Sequence, residues 1–401
     1  MIFLTTALAL LAAVLLLPSL SDAVSIARAR RGGAVPRRPA TARPPDLLFL
    51  VPAHNEELLI ESCLRSLLQQ HYPVKRRAIT VIADNCTDRT AALARRLGVP
   101  CLERHDPNRP GKSYALAWAL QHVQLAQIDA VVIIDADSVV APDFAAALAA
   151  AGPLRVKVVQ PFNGVRNGAD NALTRMAAVL STANHRFAFS LKNRAGLNVP
   201  LSNGMCLGAD VLAATGWGAY SICEDWEMYA LLTERGTRIE SAPEARILAE
   251  EASSLRRSSS QRRRWSAGKI AVLLSYGPSL VRSGSIGLAQ KLDCLAELST
   301  LGPAVLLAMV TVAASCVFLL RPLGAEWITL ALAVPLVRWI IYTAAALAVD
   351  PQPGGALLAF AFLPLYTIWR AGTALAALTM LGDQQWIRTE RHAETQTRAP
   401  S

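Results

Sequence analysis

Apolar and polar positions divide the chain into three regimes. Residues 1–20, MIFLTTALALLAAVLLLPSL, carry no charge, and the first charged residue is Asp22. Between 45 and 250, short apolar runs alternate with amphipathic stretches and turn residues. From 301 to 380 apolar residues dominate again, interrupted by Arg321, Glu326, Arg338, Asp350 and Arg370. The middle regime reads as α/β, because short continuous apolar runs predict strands and a repeat of three to four predicts helices. Asp46–Val51 is the first expected strand. Asn55 is placed to cap a helix over 56–70, with Ile60, Leu64, Leu67 and Leu68 on one face. Ala78–Ala83 is the next strand, and Asp88–Leu97 is a helix that Gly98 stops. A short strand at 99–103 and a helix from Ser113 follow. Ala130–Ile134, AVVII, is the most apolar strand and runs into Asp135-Ala136-Asp137. Further helices are expected near 170–194 and from 225 to 235, the second stopped by Gly236.

The outer regimes read as membrane segments. A secretory signal places its positive charge before the apolar run. Here Arg28, Arg30, Arg31, Arg37 and Arg38 come after it, so a retained anchor is expected. The positive-inside rule then puts those arginines in the cytoplasm. Three C-terminal stretches, near 298–320, 326–349 and 354–380, are long enough to cross ~30 Å of hydrocarbon. Turn chemistry separates them at Arg321-Pro322-Leu323-Gly324 and at Asp350–Gly355. Pro364 and Arg370 interrupt the last stretch.

Composition narrows the class. With 53% hydrophobic and 17% charged residues the chain is not disordered. Seven cysteines with no CxxC make neither a disulfide framework nor a zinc site. The net charge of +10 could serve nucleic acid, but the basic residues cluster at 28–38 and 256–269, beside apolar segments. That placement favours anionic membrane lipid over nucleic acid.

In open α/β sheets, ligands bind beyond the carboxyl ends of strands. Three such ends carry polar turns here: Pro52-Ala53-His54-Asn55-Glu56, Asp84-Asn85-Cys86-Thr87-Asp88 and Asp135-Ala136-Asp137-Ser138. No GxGxxG follows the first strand, and Gly111-Lys112-Ser113 lacks the earlier glycine of a P-loop. Asp135 and Asp137, two apart on an extended turn, can approach one hard cation that keeps positions open for phosphate oxygens. Asp84 can accept from a base N–H, while Asp88 caps the following helix. Lys112 offers a point charge for phosphate. Glu224-Asp225 opens a helix about 90 residues after Asp135. A carboxylate there can complement the helix dipole or take the proton of an attacking hydroxyl. Gln261-Arg262-Arg263-Arg264-Trp265 supplies donors for a departing diphosphate and an indole face for a sugar. Its alternative role is a polybasic segment bound to lipid.

These pieces, in this order, resemble the family 2 glycosyltransferases of the membrane-embedded kind, the group of cellulose, hyaluronan and chitin-oligosaccharide synthases. The likeness rests on Val51–Glu56, Asp84, Gly111-Lys112, Asp135-x-Asp137, Glu224-Asp225 and Gln261-x-x-Arg264-Trp265, with Trp386–Arg391 matching a WxRTxR tail. It implies a GT-A fold, a mixed sheet flanked by helices. It also implies a nucleotide diphosphate sugar donor, Mg²⁺ or Mn²⁺, and inversion at the anomeric carbon. By that resemblance Pro52, Ala53, Glu56, Asp84 and Lys112 hold the nucleotide, and Asp137 with Asp135 holds the metal and diphosphate. Asp225 is the general base. Asn203, Gly204, Glu224, Gln261, Arg264 and Trp265 meet the acceptor or the diphosphate.

The chain then divides into an anchor (1–21), a basic Pro-rich linker (22–44), a GT-A domain (45–250), a basic segment with interfacial helices (251–297), membrane helices (298–381) and a polar tail (382–401). The expected site is the inner (plasma) membrane, with the catalytic domain cytoplasmic. One anchor and three C-terminal stretches are few for a polymer channel. They favour one sugar passed to a lipid-linked or short saccharide acceptor over a processive β-linked polymer of glucose or N-acetylglucosamine. They also leave room for a partner subunit in the membrane. A sugar nucleotidyltransferase would not need the Gln261–Trp265 segment beside membrane helices. A scaffold would not need intact Asp135, Asp137, Asp225 and Trp265.

Overall fold

The computed structural model describes residues 2–31, 43–320 and 326–380. Eight strands form one mixed sheet: β1 Leu47–Ala53, β2 Arg77–Asp84, β3 Cys101–Arg104, β4 Ala130–Ile133, β5 Ser138–Val140, β6 Val158–Val165, β7 Cys206–Gly208 and β8 Ile239–Ala249. Their order is β3-β2-β1-β4-β7-β6-β8-β5. The first four pair in parallel, whereas β7 runs antiparallel to both β4 and β6. The chain therefore builds outward from β1 to β3, then crosses back to lay β4 on the other side of β1. The connections after β1 and β4 diverge at that point and leave a crevice between them.

Helices cover both faces. In chain order they are α1 Ile2–Arg31, α2 Ile60–Leu68, α3 Thr90–Arg96, α4 Lys112–Leu120, α5 Phe144–Ala149, α6 Ala172–Thr182, α7 Phe189–Arg194, α8 Ala209–Thr215 and α9 Glu224–Glu234. The C-terminal part adds α10 Leu255–Arg282, α11 Leu288–Ser299, α12 Pro303–Leu320, α13 Glu326–Ala348, α14 Pro353–Ala359 and α15 Leu363–Ala377. Alternate residues of β1 enter two cores. Leu47, Phe49 and Val51 pack with Ile60, Leu64 and Leu67 of α2 and Phe144 of α5. Leu48 and Leu50 join Leu116 of α4, Met205 and Tyr229 of α9. Burial on both faces is why β1 and β4 read as continuous apolar runs.

Several local expectations change. The helix expected over 56–70 starts only at Ile60, and Asn55 does not cap it. Asn55 takes a positive φ of 54°, and its Oδ1 accepts from the Thr87 amide at 2.8 Å. It thus stitches the loop after β1 to the loop after β2. The N-cap of α3 is Arg89, not Asp88, but the Asp88 carboxylate accepts from the Thr90 amide at the first residue of α3 (2.9 Å). The single helix expected near 170–194 is α6 and α7 joined by a π-helical turn over Ala183–Ala188.

The membrane part also differs. The N-terminal helix continues to Arg31, ten residues past the expected end of the anchor. Its second half is a strut between the C-terminal helices and α7 of the sheet domain. Ser21 donates to Asp293 (2.6 Å), Arg338 pairs with Asp22 (2.7 Å), and Arg28 donates to the Ala195 carbonyl (2.8 Å). Among the described residues, two helices are long and apolar enough to cross a membrane, Thr5–Arg31 and Pro353–Met380. Leu288–Ser299 and Pro303–Leu319 pass the same test together as a pair bent by 84°. The C-terminal part thus shows up to two candidate spans among the described residues, and α13 contributes an apolar stretch over Ala333–Ala348. Residues 386–391 lie outside the described residues.

Helix α10 reaches the sheet through a close approach at Gly268. A Cβ added there would overlap the Cys223 sulfur, on the turn before α9. Gly268→Ala should therefore cost about 1–3 kcal/mol as overpacking, despite the better helix propensity of alanine. Scanning fluorimetry of the purified protein should show a lower melting midpoint. A raised midpoint would mean that α10 does not rest on the Cys223 turn.

Candidate active site

The crevice at the strand ends opens into a cavity of about 650 Å³, within the range of small-ligand sites. Pro52, Ala53, His54 and Glu56 form one wall, after β1. Asp84, Gly111 and Lys112 form the next, and Asp135 and Asp137 come from the turn after β4. Glu224 and Asp225 arrive on the first turn of α9, and Gln261, Arg264 and Trp265 on α10. The cavity continues past α10 to Thr300, Leu301 and Gly302 at the bend between α11 and α12, and to Arg338, Tyr366 and Arg370 on the C-terminal helices.

Hydrogen bonds fix the strand-end loops. Asp84 is buried, and its carboxylate accepts from Arg104 Nη1 (2.6 Å) and from the Gly111 amide (3.0 Å). Gly111 has φ 112°, a conformation that favours glycine, and this lets the loop fold back onto Asp84. His54 Nδ1 lies 2.7 Å from the Asp84 carbonyl. The turn after β4 is held by Asn203. Its Oδ1 accepts from the Asp135 amide (3.0 Å) and its Nδ2 donates to Ser138 Oγ (2.7 Å). Ser138 Oγ also donates to Asp137 (3.0 Å).

Four carboxylates, Asp135, Asp137, Glu224 and Asp225, share this cavity. Lys112 Nζ sits between two of them, 2.7 Å from Asp135 and 2.7 Å from Glu224. Burial would lower the lysine pKa, but the two carboxylates more than offset it and hold the group cationic. Asp225 behaves differently. Burial and the charge of Glu224 push its carboxyl up to about 7, against the opposing pull of Lys112 and a hydrogen bond from the Trp226 amide (2.8 Å). A carboxyl poised there can hold or release a proton near neutral pH. Among the described residues, no three His, Cys, Asp or Glu side chains form a complete metal cage. Asp135 and Asp137 side by side suit a hard divalent cation that takes its other ligands from phosphate and water.

A family model described as "Glycosyltransferase like family 2" matches residues 44–268, more than half of the chain. The chain belongs to glycosyltransferase family 2. It is 26% identical over 253 residues to "Probable glycosyltransferase YdaM" of Bacillus subtilis (strain 168), covering 58% of this chain and 57% of that protein. It is 30% identical over 183 residues to an N-acetylglucosaminyltransferase of Rhizobium leguminosarum bv. viciae, covering 43% and 42%. The chain thus spans about half the length of the curated relatives it matches. Its fold is similar to that of the mannosyltransferase PcManGT from Pyrobaculum calidifontis, solved in complex with GDP-Man and Mn²⁺. The TM-score is 0.58 at 21% identity, over 95% of this chain and 99% of that one. The GT-A-like mixed sheet flanked by helices, with an apolar N-terminal helix, is therefore the architecture of this family 2 glycosyltransferase.

All but one of the site residues expected from the sequence line the same cavity. The exception is Gly204, whose amide donates to the Ile133 carbonyl (2.9 Å) and where an added Cβ would crowd Pro161 and Ile247. It serves the turn before β7. Asn203 lines the cavity, but both ends of its amide are spent on the Asp-x-Asp turn. Sequence reasoning missed Trp226, Lys269 and Arg370. Lys269 follows Trp265 by one helical turn, a spacing that could have placed it on the same face. It was grouped instead with the basic run expected to meet lipid. Arg262, from that same run, is paired with Glu251 (2.5 Å) and lies over the Trp265 ring.

Because Asn203 bridges the Asp135 amide and Ser138 Oγ, Asn203→Ala should loosen the turn that carries both acids. Removing such a buried pair of hydrogen bonds costs about 1–3 kcal/mol. Calorimetry should show roughly tenfold weaker Mn²⁺-dependent binding of a nucleoside diphosphate. Unchanged binding would show that the turn is held without Asn203.

Proposed function

We propose that this protein is an inverting, membrane-associated transferase. It moves one sugar from a nucleoside diphosphate sugar, read here as a UDP-sugar, to a lipid-linked or short saccharide acceptor. The observation that carries the reading is Asp225, poised near 7 in a cavity whose other end lies among the apolar C-terminal helices. The sugar-transfer reading is supported by likeness to a protein named N-acetylglucosaminyltransferase. The catalytic domain is placed on the cytoplasmic face, because Arg28, Arg30 and Arg31 end the N-terminal apolar helix.

In this mechanism the base and ribose lie against the loops after β1 and β2, near Asp84. Mg²⁺ or Mn²⁺, held by Asp137 with Asp135, would supply positive charge to the donor diphosphate. Lys112 turns from the carboxylates to the phosphates, and Arg264 with Gln261 donates to the departing diphosphate. Asp225 accepts the proton of the acceptor hydroxyl. The acceptor oxygen bonds to the anomeric carbon as the bond from that carbon to the diphosphate oxygen breaks. The nucleoside diphosphate leaves with the electron pair, and the configuration inverts. Trp265, 40% exposed on the cavity wall, presents an indole face to the acceptor.

Two outcomes test the reading. Asp225→Asn should lower kcat by about 10²–10⁴ while nucleotide affinity stays within about twofold. Equal loss of both would remove Asp225 from the base role. In the wild type, kcat/KM should rise with pH through about 7, because the base works as its carboxylate and is protonated below that value. A flat profile between pH 5.5 and 8.5 would contradict the assignment. If the product is a water-soluble or insoluble polymer rather than an organic-soluble conjugate, the processive reading replaces single transfer.

A further inference from the structure

The membrane end of the cavity holds two cations that no carboxylate neutralises through an ion pair among the described residues. Arg370, on α15, is only 6% exposed. Its guanidinium donates to Thr373 Oγ1 (2.8 Å), to the Leu301 carbonyl (3.2 Å) and to Ser266 Oγ (3.4 Å), all neutral groups. Lys269, on α10, donates to the Thr300 carbonyl (2.6 Å) and stands 3.7 Å above the Trp226 ring. The acids nearby are committed elsewhere. Glu251 pairs with Arg262, and Glu297 pairs with Lys192 (2.9 Å). Burial pulls the Lys269 ammonium down to about 8, against the upward pull of Glu297, which makes no ion pair with it.

Burying a cation without a counter-charge is costly, and a bound anion relieves that cost. Both side chains hold neighbouring carbonyls of one turn, Thr300–Gly302, where α11 and α12 bend by 84°. Both line the cavity that contains Asp225. The helix bearing Arg370 has another side: Leu365, Ile368 and Leu375 are exposed, as a lipid-facing surface would be. An anion at this turn therefore lies between the transfer chemistry and the hydrocarbon.

We propose that Lys269 and Arg370 form an anion subsite for the phosphate or diphosphate group of a lipid-linked acceptor, with the lipid tail leaving along α15. The role as acceptor rests on the transferase reading above. The simpler alternative is that both cations only cap the carbonyls beyond α11.

The test uses the full chain in detergent. Lipid binding is measured by native mass spectrometry with a polyisoprenyl phosphate, the matching polyisoprenol and inorganic pyrophosphate. The phosphate should bind at least about tenfold tighter than the alcohol, as expected for charge-assisted contacts. Lys269→Met and Arg370→Met should each remove most of that preference, and Arg370→Lys should restore part of it. Equal binding of phosphate and alcohol overturns the subsite, without any variant being needed. Variants that melt lower yet keep the preference would leave the two cations as helix caps. Pyrophosphate that binds as tightly as the lipid assigns the site to a soluble anion and overturns the lipid acceptor. Nucleotide-sugar binding on the same samples tests the transferase reading separately. Its loss would leave a lipid-phosphate site without a donor.

Discussion

Asp135, Asp137, Glu224 and Asp225 repel one another across one cavity, and an ion-pair bridge fixes a cation among them. Lys112 takes the central place, bridging Asp135 on the turn after β4 to Glu224 at the start of α9. Each of its contacts joins loops that are far apart in sequence. The glycine before it folds onto Asp84, which ties the same lysine to β2 and to Arg104. Asp225 stands beside this pair, and burial with the charge of Glu224 raises its carboxyl against the pull of Lys112.

A second constraint joins this cluster to α10, α11 and the N-terminal helix. The Cys223 turn rests on Gly268 of α10, and Glu227 of α9 accepts from Tyr276 of that helix at 3.2 Å. Lys192 of α7, buried to 1% exposure, pairs with Asp293 of α11 at 2.6 Å. Asp293 also accepts from Ser21 of α1. A buried ion pair adds little net stability against an apolar substitute, but breaking one partner is costly, so it enforces one arrangement. The N-terminal helix, the bent pair and the sheet are held as one frame, and the cavity spans it from the strand ends to α15.

Much of this was legible in the sequence, for physical reasons. β1 and β4 are buried on both faces, so each is a continuous apolar run, while β2 is fully buried only from Val81 onward, and the polar residues after each strand mark the cavity. That Asp135, Asp137 and the Glu224-Asp225 pair line one cavity was legible because strand ends and helix starts are local features. β6 and β8 were not seen, because Gln160, Asn163, Glu240 and Glu244 interrupt their apolar pattern. Asn55 was misread as a cap because its positive φ depends on Thr87, a partner 32 residues away. Lys269 was assigned to lipid because a charge run looks solvated until its helix is placed. Only the tertiary packing turns that residue inward.

The most direct test of the central claim is a structure of the full chain with a nucleoside diphosphate sugar and Mn²⁺. The account predicts an anomalous Mn²⁺ peak bound by Asp137 and Asp135 and by the donor diphosphate. Lys112 should have left Asp135 for a phosphate oxygen, and Asp225 should face the anomeric carbon. A nucleotide bound elsewhere, or a Lys112–Asp135 pair left intact beside bound donor, would contradict it.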